Sequence, residues 1–127
     1  MKISKKPEWI LRIGIAGEFI GHGVFALGIK QGWIHYFTNL GFSETFATTV
    51  LPIIGIMDLT VALLILVKPY KIVLAWATLW GFWTALLRPL AGEPIWDFIE
   101  RFANWAAPLA LLYMQGFPKT FKDLFKD

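Results

Sequence analysis

Four stretches of this chain are apolar for about the length a helix needs to cross a bilayer, roughly 20 residues. They cover about residues 9–29, 44–67, 72–88 and 95–116. The last three are joined by short turns, and residues 31–42 lie between the first two. The chain of 127 residues is 57% hydrophobic and 17% charged, with a mean hydropathy of +0.58. A soluble domain of this size leaves much of its surface in water and cannot hide that much apolar area. The pattern therefore predicts an all-α, four-transmembrane-helix bundle forming one domain over residues 1–127. It argues against a cytosolic enzyme or a nucleic-acid binder. Cysteine is absent, which excludes disulfides, thiolate metal sites and cysteine nucleophiles.

The ends of the spans are marked. Ser43 reads as an N-cap for the second. Arg88-Pro89 reads as the stop of the third, because the residue before proline disfavours helix. Residues 31–42 carry Trp33, His35, Tyr36, Phe37 and Asn39. They read as a short interfacial helix between the first two spans. The Lys2, Lys5 and Lys6 cluster resembles a signal n-region. The next span, however, holds Arg12 and Glu18 and has no clear cleavage site, so it is read as a retained first helix.

The net charge of +3 has a topological explanation. With the N-terminus in the cytoplasm, Lys2, Lys5, Lys6, Arg12, Lys68, Lys71, Lys119, Lys122 and Lys126 fall on the inner side, leaving Lys30, Arg88 and Arg101 towards the outer side. Both termini are then cytoplasmic, as in a bacterial inner-membrane protein, and no nucleic-acid partner is needed. Residues 118–127 read as an amphipathic tail on the inner leaflet.

Ionisable groups inside a span are costly, and they mark functional candidates. Glu18 and His22 are four apart and share a helix face. Asp58 lies within the second span and Arg88 closes the third. Asp97, Glu100, Arg101 and Asn104 are spaced to form one polar stripe on a continuous fourth helix. The rise of 1.5 Å per residue puts His22 roughly 12 Å and Glu18 roughly 18 Å below the outer end, Glu100 and Arg101 roughly 10 Å, and Asn104 roughly 15 Å. This predicts a polar cavity in the outer half of the bundle, with its acids partly balanced by Arg88 and Arg101. Two readings apply: structural ion pairs pinning helices, favoured for Arg88, Asp97 and Arg101, or ligand binding and proton handling, favoured for Glu18 with His22. No Glu-x-x-His pair is present and His35 lies in the interfacial segment, so neither a metal nor haem is expected.

Trp76, Trp80 and Trp83 fall at i, i+4 and i+7, and Trp105 is placed to join them. This is either a core or lipid-facing stripe, or an aromatic wall for a flat ligand such as a quinone. Trp9, Trp33 and Trp96 read as interface anchors. Gly14, Gly17, Gly21 and Gly28 form a smooth stripe that predicts tight packing of the first helix within the bundle rather than dimerisation, and the glycines flanking His22 leave room beside its imidazole for a ligand.

Several of these residues together resemble the DoxX-like family of small four-helix membrane proteins. They are Arg12-Ile13-Gly14, Phe19-Ile20-Gly21-His22-Gly23, the run from Gly55 to Leu66 with Asp58 inside it, and the turn Lys68-Pro69-Tyr70-Lys71. The resemblance covers nearly the whole chain. It implies a four-helix fold and a quinone or redox context, since some members are associated with membrane oxidoreductases, including a subunit of a thiosulfate:quinone oxidoreductase. No catalytic residue is carried over, and a chain without cysteine has no thiol exchange to inherit. The first expectation is an accessory subunit or quinone-like small-ligand binder beside a redox partner protein. The alternative is a scaffold or a homo-oligomeric small-solute carrier. A stand-alone enzyme ranks last, as no nucleophile motif, phosphate loop or dinucleotide fingerprint is present.

Overall fold

The computed structural model describes residues 5–127. Lys2 of the expected inner cluster lies outside them. The described chain is helical, with no strand: α1 (Lys5–Leu27), α2 (Gln31–Asn39), α3 (Glu44–Val67), α4 (Lys71–Leu90), α5 (Ile95–Ile99), α6 (Ala103–Gln115) and a 3-10 turn (Lys122–Phe125). Ser43 caps α3 by accepting the Phe46 N–H at 3.0 Å, and α3 covers the residues expected of the second span.

Two helices, α1 and α3, are long and apolar enough to cross a membrane. Only 33% of the apolar window of each is buried in the bundle. Ile10, Ile13, Ile20, Val24, Ile53, Ile56 and Leu63 all project outward. In α4 the run is diluted by Trp76, Trp80, Trp83 and Arg88.

The continuous fourth helix expected over residues 95–116 is instead broken after Ile99. Asp97 O, the natural acceptor for the Arg101 N–H, takes the Arg101 Nη1–H at 2.7 Å. The Arg101 and Phe102 N–H groups then reach back only three residues, to Phe98 O and Ile99 O. The third helix also departs from expectation, running through Arg88-Pro89 to Leu90. Pro89 is near enough to the end that only its own bond is lost. Ala91 N–H closes onto Leu87 O, and Gly92 leaves the helix at φ +90°.

Helices α1 and α3 run antiparallel: Arg12 meets the end of α3, and Gly23 meets Gly55. Helices α4 and α6 pair likewise, with Lys71 beside Gly116 and Gly81 against the Asn104 backbone. At one end, Ile15, Phe19, Ile65, Leu74, Leu111 and Leu112 close into a dry core. The tail docks beside it, with Lys71 N–H on Lys126 O at 2.8 Å. Helix α2 crosses the other end. The chain turns into it through Ile29, whose φ of +51° is strained for a β-branched residue.

The close approaches do not use the glycine stripe expected to pack. A Cβ on Gly14, Gly17 or Gly21 would meet nothing within 4 Å, whereas one on Gly55 would lie 2.8 Å from Gly23 O and the Leu27 N. Gly23, Gly55 and Gly81 carry the tight contacts. The stripe lines open space.

Candidate functional site

The dry core stops at Phe19. Beyond it, towards α2, helices α1, α3 and α4 diverge around a cavity of about 200 Å3. Each wall has a reason to be there. Helix α1 presents Glu18 and His22 from one face, as their spacing of four requires. Helix α3 contributes Asp58, and α4 contributes Trp80, Trp83 and Arg88. Helix α2 roofs the space with Trp33, Tyr36 and Phe37. Its amphipathic pattern turns these rings inward while Gln31, Thr38 and Asn39 stay exposed.

Asp58 is only 2% exposed, and its Oδ1 has no hydrogen-bond partner among the described residues. Neither Glu18 nor Asp58 forms an ion pair among them. The pairs present are Arg12–Glu8, Arg101–Glu100 and Lys126–Asp123. The expected balancing of cavity acids by Arg88 and Arg101 is therefore not what the side chains do. Arg88 is committed elsewhere. Its Nη1–H donates to Tyr36 Oη, and its guanidinium lies 4.6 Å from the Tyr36 ring. Tyr36 Oη–H in turn donates to Glu93, with carboxylate oxygens at 2.7 and 3.0 Å. Burial, assisted by that carboxylate, raises the Tyr36 phenol above its ordinary range, so it stays a proton donor. Asn39 Nδ2–H adds a bond to Leu90 O at 2.8 Å, which latches α2 to the end of α4.

A second cavity, of about 310 Å3, lies against the first. Both share Glu18, His22, Trp33 and Arg88 as a common wall. The second adds Gly17, Gly21, Phe25, Lys30 and Arg101.

Glu18, His22, Asp58, Arg88, Trp80 and Trp83 thus meet in one space, and Arg101 faces the adjoining one. Glu100 and Asn104 reach neither. The break before α6 destroys the stripe they were expected to share. Glu100 swings into solvent, where it pairs with Arg101 at 2.8 Å, and Asn104 gives its backbone to Gly81. The aromatic wall is also shorter than its spacing implies. Trp76 stacks on Trp80 outside the cavity, 5.6 Å between rings, and Trp105 packs edge-on against Phe82. Trp33, read as an interface anchor, lines both cavities, and its ring lies 5.8 Å from His22.

Three roles carry no direct signal in the sequence pattern, two at the α2 roof and one, that of Arg12, at the packed end. Glu93 has no local signal, because only the fold brings it to Tyr36. Tyr36 was visible as part of an amphipathic segment without a role. Arg12, taken for a topological charge, is buried. Its Nε–H donates to Ile65 O at 2.7 Å and its Nη2–H to Leu66 O at 2.6 Å, capping α3. The Glu8–Arg12 spacing of four was the available hint. Among the described residues, no three His, Asp or Glu side chains cluster as metal ligands.

Comparison of the chain with protein-family models, curated proteins and solved structures finds no match.

Proposed function

We propose that this protein is a DoxX-like, four-span bundle of a bacterial inner membrane, with both termini cytoplasmic. In this reading it binds a quinone-like head group in the cavity under α2, as an accessory subunit to a membrane redox partner. The observation that carries the reading is the composition of that one cavity: aromatic and apolar side chains around a donor end and a buried carboxyl with one unpartnered oxygen. An engineered void of about 150 Å3 in another protein holds benzene, so about 200 Å3 is adequate for a single ring.

Trp80, Trp83 and Trp33 offer faces and edges for a flat ring. Arg88, through its unpartnered Nε–H, and His22 supply donors for a quinone carbonyl. Asp58 and Glu18 supply acceptors for a quinol hydroxyl, and Glu18 with His22 is placed to hold or pass its proton. An unpaired acid in the interior of a spanning helix is expensive and is retained where a ligand or proton uses it. The outward apolar faces of α1 and α3 support the membrane placement. The broken α5–α6 segment is compatible with a fourth crossing, because irregular backbone is tolerated where it lines a cavity.

Two experiments test this. The chain contains no cysteine, so single substitutions label cleanly. Lys68→Cys and Lys126→Cys should react only from the cytoplasmic side, and Gly41→Cys and Gly92→Cys only from the outer side. Reconstituted protein should bind ubiquinone or menaquinone saturably, and Glu18→Gln and His22→Ala should each weaken it. Absence of saturable binding, or binding unchanged in both variants, refutes the ligand.

A further inference from the structure

The second cavity has a chemistry the first lacks. Three cationic side chains line it, Lys30, Arg88 and Arg101, against the single carboxylate of Glu18. Two of the three are only partly satisfied. Arg88 Nε is buried without a partner. Arg101 has one anionic partner, Glu100, whose side chain is 63% exposed and competes weakly from solvent. Lys30 has no ion pair among the described residues and rests over the Phe25 ring at 4.5 Å.

The floor is equally specific. Gly17 and Gly21 present bare backbone there, with open space where side chains would stand. The break between α5 and α6 brings Arg101 to face that groove. A site that is cationic above and smooth below suits an oxyanion on a slender or chain-like body.

We propose that this second cavity binds an anionic phosphate-type group, carried either by a lipid headgroup, with its chain along the glycine face of α1, or by a small free anion. The site is separable from the quinone reading. Lys30, Arg101, Gly17 and Gly21 line only this cavity, so changes to them leave the ring-lined space intact.

The test uses the purified full chain in a neutral detergent. Its unfolding midpoint is followed during titration with short-chain phosphatidylglycerol, short-chain phosphatidylcholine or inorganic phosphate. A saturable rise with phosphatidylglycerol alone identifies the headgroup source, and a rise with inorganic phosphate identifies the free anion. Either upholds the site if the Lys30→Gln/Arg101→Gln double variant weakens it at least tenfold. Gly21→Leu, which fills the groove without a clash at Cβ, should fold normally and lose binding to the same degree. Equal response to the zwitterionic and anionic lipids, no saturation with either anion, or full binding by both variants would overturn the proposal.

Discussion

Arg12 and Asp58 are both buried ionisable groups at the α1–α3 contact, 7% and 2% exposed, yet they are treated in opposite ways. Arg12 stands at the packed end. It caps two carbonyls of the last turn of α3, approaches Glu8 at 3.8 Å and stacks on Trp9 at 3.9 Å. Asp58 stands where packing ends, with an unpartnered oxygen beside a cavity. Burying a polar group without a full set of partners is costly. One end of the bundle has answered that cost with the protein's own groups. The other has left it open. The difference separates a structural group from one kept for something that arrives.

Substitutions at the packed end should hurt most. Arg12→Met removes two charge-assisted bonds and exposes nothing useful in return. It should cost on the order of 3 kcal/mol in reversible unfolding from micelles. A wild-type midpoint would show that the capping geometry contributes nothing. Gly55→Ala comes next, because its Cβ would press on Gly23 O and the Leu27 N, neither of which can yield. A loss of about 1–3 kcal/mol is expected. Gly17→Ala, on the open stripe, should unfold no earlier than wild type, because nothing meets its Cβ and alanine favours the helix by up to about 1 kcal/mol. Equal effects of the two would erase the contrast between packed and open glycines.

Tyr36→Phe tests the roof. It removes the link from Arg88 to Glu93, should cost about 1 kcal/mol, and should speed amide exchange across α2 while leaving α3 protected. The smallest effect is at the tail. Asp123, exposed, accepts the Lys119 N–H at 3.0 Å and the Thr120 N–H at 3.2 Å, and these bonds, Lys119 first, hold its carboxyl below the ordinary range. A lowered folded value means that the contribution is complete above the ordinary carboxylate range and fades as pH falls through the folded value. The Lys119 and Thr120 amide resonances should shift in that acidic window while those of α1 stay fixed.

How far the sequence foretold this depends on whether each feature is local. Ser43 and the limits of α3 were legible because capping and apolar length act within one segment. Glu18 with His22, and Trp80 with Trp83, were legible because helical spacing alone puts them on one face. The rest needed partners from elsewhere in the chain. Whether a glycine is tight depends on what lies opposite, so the stripe at Gly14, Gly17 and Gly21 looked like a packing face and is not one. Arg12 looked like a topological charge because nothing local reveals the carbonyls of Ile65 and Leu66. The fourth helix was read as continuous because periodicity does not register the guanidinium of Arg101 taking the carbonyl of Asp97.

If the end under α2 is hollow for a ligand rather than loosely packed, Asp58→Asn will separate stability from binding. Its unfolding midpoint and its affinity for a short-chain ubiquinol should be measured on the same preparation. The midpoint should be no lower than wild type, since asparagine keeps the shape of Asp58 and no ion pair among the described residues is lost. Quinol affinity should be at least tenfold weaker, with the oxidised quinone less affected. A midpoint that falls as far as that of Arg12→Met, with quinol binding absent from both proteins or equal in both, would contradict a hollow kept for a ligand.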